Sequence, residues 1–166
     1  MPDHTIPFAG SDFRQVLHAD LDPEARLVVI DAFAAGRVGR GETWQFARLE
    51  SALMVRDAAG WLLRDRFVLE PPIGWSGVGL AEGAPYFATV AAFGDIDWSA
   101  LLEEACASAI AGSTGVRAAG GALARKGAVI RCLAASATGL GEALGTVWAV
   151  ARRRVLGVPP LELRKL

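Results

Sequence analysis

Cysteine is nearly absent from this chain of 166 residues, with only Cys106 and Cys132 present. Two thiols cannot build the disulfide framework of a small secreted domain. They do not form the closely spaced pairs that a zinc site needs either, so each reads as buried filler. Histidine is as scarce, with only His4 and His18. That leaves little for a hydrolytic triad, and no serine sits in a strand-to-helix elbow. An excess of either charge is missing too. Seventeen basic side chains against 18 acidic ones leave a net charge of −1, which provides no electrostatic footprint for nucleic acid. No apolar run approaches the roughly 20 residues of a membrane helix. The start, MPDHTIPFAGSDF, lacks the apolar core of a signal peptide. A cytoplasmic protein is expected.

What is present is apolar substance and glycine. Hydrophobic residues make up 52% of the chain, ample for a buried core, and 19 glycines punctuate it. Leu27 to Phe33 reads as a strand in which Leu27, Val29, Asp31 and Phe33 share one face. Thr43 to Phe46 and Ala52 to Arg56 read as further strands, and Asp57 to Gly60 as a turn. Trp61 to Leu69 alternates well, with Trp61, Leu63, Phe67 and Leu69 on one face. Pro71 and Pro72 stop it, a glycine-rich loop follows over residues 73 to 85, and Tyr86 to Phe93 is the next strand.

The pattern then changes. Asp97 is placed to cap a helix carrying Trp98, Leu101, Leu102, Ala105, Ala109 and Ile110 along one side. Residues 112 to 127 are glycine-broken, and Val129 to Ala135 is a short strand around Cys132. A second helix begins near Gly139 or Leu140. Its stripe is Leu140, Leu144, Val147, Trp148, Ala151 and Val155, and it stops at Gly157 before Pro159 and Pro160. Arg152, Arg153, Arg154, Arg164 and Lys165 make the C-terminal end basic, as suits a helix C-terminus. The sum is a mostly-β chain with two late helices and no βαβ rhythm.

The segment AAGRVGRGETWQF, residues 34 to 46, invites comparison with a phosphate loop. It has no lysine and runs into strand composition instead of a helix, which excludes the Walker pattern. GVGLAEG at 77 to 83 misses the dinucleotide spacing, and Pro85 follows it. The carboxylates remain. Asp31, embedded in an apolar strand, is expensive to desolvate without partners. Arg37 or Arg40 is expected to pair with it as a structural lock; alternatively, its face lines a wet cavity. Asp31 and Glu42 could also approach across a hairpin, as paired carboxylates for acid–base work would require.

The block IDAFAAGRVGRGETWQFARLESALMVRDAAGWLLRDRFVLEP resembles the urease accessory protein UreD (UreH) family. The elements that carry the likeness are Asp31, Gly36-Arg37, Gly41-Glu42, Trp44 and Phe46, then Arg56, Asp65-Arg66, Leu69 and Pro71. IPFAGSDFRQVLHADLDPEARL, PYFATVAAFG and LGTVWAVARRRVLGVPP extend it over nearly the whole chain. The family's glycine-rich N-terminal portion has no counterpart here, so the chain is expected to be an N-terminally truncated single UreD-like domain, residues 1–166.

The resemblance implies a helicoid stack of β-strands with two α-helices in the C-terminal part. It implies a non-catalytic chaperone of nickel insertion that joins UreF-like and UreG-like partners to apo-urease, with nickel in transit and no tightly bound cofactor. Asp31 and Glu42 are the residues it suggests for a transient nickel path. Arg37, Arg40, Trp148 and Arg152 are the candidate structural or partner-binding residues. The alternatives are an assembly protein, or inactive remnant, of the same fold and, further off, a carboxylate enzyme. A strand stack cut in this way is also expected to expose unpaired edges.

Overall fold

The computed structural model describes residues 4–71 and 81–159. The glycine-rich loop expected at 73 to 85 lies mostly outside the described residues, as do Pro72, Pro160, Arg164 and Lys165. Seven strands and two α-helices are described: β1 Asp12–Leu21, β2 Leu27–Ala34, β3 Arg48–Asp57, β4 Gly60–Leu69, β5 Tyr86–Phe93, α1 Trp98–Ala111, β6 Val116–Ala122, β7 Gly127–Ala134 and α2 Ala137–Ala151. The expected mostly-β chain with two late helices is what the structure shows.

The strands form two sheets. One has three strands in the order β1-β3-β4, the other four in the order β2-β5-β7-β6. Every pairing is antiparallel except β1 with β3, which is parallel. That exception follows from connectivity: β2, the link between β1 and β3, lies in the other sheet.

The apolar alternation of the strands sorts the core into layers. Val28, Ile30 and Ala32 of β2, with Ala88, Val90 and Ala92 of β5 and Ile130 and Cys132 of β7, face α1 and α2. The intervening residues face the three-stranded sheet and meet it in two separate clusters. Phe33, Phe46, Leu49 and Leu69 form one, and Leu53, Val55, Ala91 and Phe93 the other.

The helices start where their caps dictate. Asp97 accepts a hydrogen bond from the Ser99 N–H at 2.9 Å, and Ser136 accepts one from the Gly139 N–H at 3.0 Å. Leu101, Ala105 and Ala109 of α1 are buried, as are Leu140, Leu144, Val147 and Ala151 of α2. Ile110, expected on the same side of α1, is 49% exposed. A π-turn, Arg152–Leu156, carries the chain to its stop at Gly157.

Two local expectations fail. Thr43 to Phe46 is not a strand: Trp44 sits at φ 59° and donates its N–H to the Ala35 carbonyl at 2.7 Å. The chain turns there to leave one sheet for the other. The glycine-broken stretch, by contrast, contains β6. Gly120 on that strand could not carry a side chain, since a Cβ would lie 2.7 Å from Leu102 Cδ2 and 2.9 Å from Ile130 Cγ1. Close contact of helix and sheet selects glycine at a position where strand propensity would not.

Candidate functional site

Between the two apolar clusters that join the sheets runs a row of polar side chains. Along β2 the inward residues are Val29, Asp31 and Phe33; along β5 they are Phe87, Thr89 and Ala91; along β3 they are Leu49, Ser51 and Leu53. Each of these strands places one polar residue between two apolar ones. Gln15 of β1, Asp65 of β4 and Arg131 of β7 complete the row. Strand register aligns it: Asp31 is opposite Thr89, Thr89 opposite Arg131, and Gln15 opposite Ser51.

The row has two bonded halves. In the first, Ser51 Oγ donates to Asp31 Oδ2 at 2.7 Å, and Gln15 Nε2 donates to Asp31 Oδ1 at 2.8 Å. Gln15 Nε2 also donates to Ser51 Oγ at 3.0 Å, so the hydroxyl of this residue, which is 3% exposed, both donates and accepts. In the second, Arg131 donates to Thr89 Oγ1 at 3.0 Å and to Asp65 Oδ1 at 2.7 Å. Burial raises the Asp31 pKa above its usual value of 3.8; the bonds from Ser51 and Gln15 oppose the rise, and the Asp65 charge adds to it.

This arrangement corrects the expected lock. Neither Arg37 nor Arg40 pairs with Asp31; its partners are neutral groups from two strands of the opposite sheet. Arg37 instead grips Glu42 in a two-pronged pair, Nε to Oε2 at 2.7 Å and NH2 to Oε1 at 2.5 Å. The Arg37 guanidinium also lies 4.7 Å from the Phe8 ring centroid. The Arg37 bond holds the Glu42 carboxyl below the ordinary glutamate range, with smaller help from the Ala9 backbone and from the Arg40 charge.

Gly36 makes the close turn possible. Its φ is 130°, and a Cβ there would lie 2.1 Å from the Glu42 carbonyl oxygen. The glycines and arginine of AAGRVGRGET thus close a sheet-to-sheet loop. Asp31 and Glu42 hold separate partners, so the pairing across a hairpin that an acid–base site would use does not form.

On α2, the structural and the partner-binding expectations divide. The stripe Leu140, Leu144, Val147, Ala151 and Val155 is core. Trp148 is only partly buried, yet its indole Nε1 is enclosed without a hydrogen-bond partner among the described residues. The Arg152 guanidinium lies 5.4 Å from the Trp148 ring centroid, and its Nε donates to the Pro159 carbonyl at 2.9 Å. Arg153 and Arg154 both hold Glu104 of α1, which ties the basic end of α2 to its neighbour.

Sequence reasoning missed Gln15, Ser51, Thr89 and Arg131, although the clue was available. Each interrupts an otherwise apolar inward face, as Asp31 does. The two thiols are the core filler that the sequence suggests, Cys132 buried between sheet and helices and Cys106 packed against the same cluster. Burial, with a smaller contribution from Cys106, pushes the Cys132 thiol up to about 11. Both remain free thiols. Among the described residues, no group of three or more His, Cys, Asp or Glu side chains is arranged to hold a metal ion. No helix there is long and apolar enough to cross a membrane.

Comparison with known proteins adds a family. The family described as UreD urease accessory protein matches residues 1–165. Urease accessory protein UreD of Deinococcus radiodurans is 33% identical over 165 residues, covering 99% of this chain and 57% of the relative. The corresponding protein of Mycolicibacterium gilvum is 33% identical over 158 residues, covering 93% of this chain and 56% of its own. Urease accessory protein UreD 2 of a Synechococcus strain is 53% identical over a shorter stretch of 60 residues, 36% of this chain and 22% of that protein. The chain therefore spans little more than half the length of the long matches.

Proposed function

The chain belongs to the UreD urease accessory protein family, and from that premise we propose that it is a non-catalytic scaffold of urease maturation. In this reading it acts in the cytoplasm as a single UreD-like domain, with its two sheets forming part of the family's helicoid strand stack. It joins apo-urease to UreF-like and UreG-like partners, and nickel passes along it as cargo. The family match over residues 1–165 is the observation that carries the proposal.

The polar row supports the nickel route. Asp31, Ser51, Gln15 and Thr89 carry side-chain oxygens in a polar layer between apolar clusters, where they are hydrogen-bonded to neighbouring protein groups. Such donors bind a divalent ion weakly and release it, as a transit path requires. Asp31 is the carboxylate on that path. Glu42, held by Arg37 at the sheet-crossing loop, contributes only when that pair opens. Arg37, Arg40, Trp148 and Arg152 keep the loop and helix surfaces that partners would meet.

The test is to co-express the chain with the UreF-like and UreG-like proteins and apo-urease of its host, then add nickel. A stable complex and urease activation are expected. Replacing Asp31 with Asn should leave folding and the complex intact while activation falls. A chain that forms no complex under conditions where the host makes active urease overturns the scaffold reading. Full activation by the Asn variant overturns the route through Asp31.

A further inference from the structure

The two halves of the polar row are bonded in different ways. Around Asp31 the donors are neutral: Ser51 gives its hydroxyl to one carboxylate oxygen, and Gln15 its amide to the other. In the second half the donor is a cation. Arg131 reaches from β7 across to Asp65 in the facing sheet, with Nη2 at 2.7 Å from Oδ1. Its Nη1 lies 3.0 Å from Thr89 Oγ1 on the neighbouring strand β5. The Asp65 side chain is only 20% exposed, and its charge is felt at Asp31.

The grip of Arg131 differs from the other arginine clamps of this fold. Arg37 lands both prongs on the Glu42 carboxylate, and Arg125 lands both on Asp57. Arg131 splits its fork between one acid oxygen and one neutral hydroxyl. A fork spread over two sheets is the weaker clamp, because it forgoes the matched bidentate geometry. What it does instead is to fill the ground a metal ion would take. Its N–H groups engage an oxygen from each sheet, the arrangement that a cation with oxygen ligands would draw in to roughly 2.0–2.6 Å.

Charge points the same way. Among the described residues the row holds two carboxylates, Asp31 and Asp65, and one cation, Arg131, so two negative charges against one positive leave −1 when both acids are ionised. A divalent ion in place of the guanidinium brings that sum to zero. An ion of single charge has no Coulomb advantage over a guanidinium already bonded there, so the exchange selects for double charge. Two carboxylates are also fewer than a resident site gathers, in keeping with an ion held in passing.

We propose that Arg131 is a tethered cation that closes the outer end of the polar row, and that a divalent ion enters the row by displacing its guanidinium from Asp65 and Thr89. Arg131 is then a positioning residue that decides which ions pass. The inference rests on the nickel-route reading for the identity of the ion, and on the bonds above for the device itself.

The test titrates the full chain with nickel(II) chloride by calorimetry at fixed ionic strength. Arg131→Gln removes the competing charge and frees Asp65, so nickel should bind about tenfold more tightly, or better, than to the parent. Arg131→Lys keeps a cation in place and should stay near the parent value. Adding Asp65→Asn to Arg131→Gln should abolish the gain. Nickel taken up elsewhere on the chain is common to every variant and cancels in the comparison. A merely structural arginine predicts another pattern: lower stability by circular dichroism and no gain in affinity.

The parent supplies a reading that needs no substitution. Nickel(II) on oxygen ligands is paramagnetic, and it should broaden the backbone amide signals of Asp65, Thr89 and Arg131 before others in the two sheets. An Arg131→Gln chain that binds nickel no more tightly than the parent overturns the proposal. So does a gain that survives Asp65→Asn, because the ion then sits elsewhere, and so does broadening that spares Asp65 and Thr89. Urease activation judges the route separately. Full activation by Asp31→Asn overturns the route and leaves an Arg131-dependent nickel site standing, whereas an affinity indifferent to Arg131 overturns the tethered cation and leaves the route.

Discussion

On the helix-facing side of the four-stranded sheet, Ile30, Val90 and Ile130 meet α1 and α2 in an uninterrupted apolar layer. One residue further along the same three strands, on the opposite side, stand Asp31, Thr89 and Arg131. The backbone, the register and the neighbouring residues are the same; only the facing layer differs. Against helices, which satisfy their own backbone, a polar side chain would have found few partners. Against a second sheet it finds Gln15, Ser51 and Asp65, side chains that alternate inward from strands of their own. A polar layer where two sheets meet, here running from the buried Ser51 out to the exposed Arg131, is therefore sustained by partners from both sides, and it needs to be built in both sheets at once.

Three substitutions would break or sharpen that contrast. The largest effect is expected from moving an acid to the dry face. Ile130→Asp would bury a carboxylate among Leu101, Leu144 and the alanines of α1, with no donor at hand. It should cost more than about 3 kcal/mol, seen as loss of the cooperative melting transition.

Ser51→Ala on the polar face comes next. It removes one of two donors to Asp31 and leaves that oxygen without its protein partner, which should cost about 1–3 kcal/mol in chemical denaturation. A cost below that range would mean that water reaches the row and takes over the bond.

The smallest effect, and the most specific, is the pH dependence of Asp31→Asn. The folded-state pKa of Asp31 is raised above 3.8. Its contribution to stability is therefore fully present below the unfolded-state value and is lost as pH rises through the folded one. The stability of the Asn variant relative to the parent should be flat in acid and climb across that window. A relative stability that falls with rising pH would show that the row favours the charged carboxylate.

How legible all this was in the sequence depended on how local the cause was. Tyr86 to Phe93, the turn after Asp57, the Asp97 cap and the stop at Gly157 were fixed by neighbours within a few residues, and the structure has them. Thr43 to Phe46 looked like a strand because its aromatic residues favour one. The positive φ of Trp44 is imposed by the crossing from one sheet to the other, which no short window contains. β6 was obscured by its glycines, whose cause lies across the layer in Leu102 and Ile130.

The site followed the same rule. Asp31 stood out because it broke an apolar face. Its partners were sought nearby, at Arg37 and Arg40, because those were the donors in view. The real donors lie 16 and 20 residues away in sequence, on strands brought opposite by the packing of two sheets. A search for every residue that interrupts an inward apolar face, wherever it lies, would have found most of the row.

The way the chain alternates between its sheets has a consequence for inheritance. β1, β3 and β4 belong to one sheet, while β2, β5, β6 and β7 belong to the other. No single breakpoint between Asp12 and Ala134 divides the chain into pieces that each hold one whole sheet. Recombination at Pro71 comes nearest, and even it would carry β2 away from β5. An exchange at Pro71 would therefore hand on Gln15, Asp31 and Ser51 as a set, while Asp65 would meet an arginine and a threonine of different descent. One half of the polar row is inherited whole, and the other must be matched across the joint.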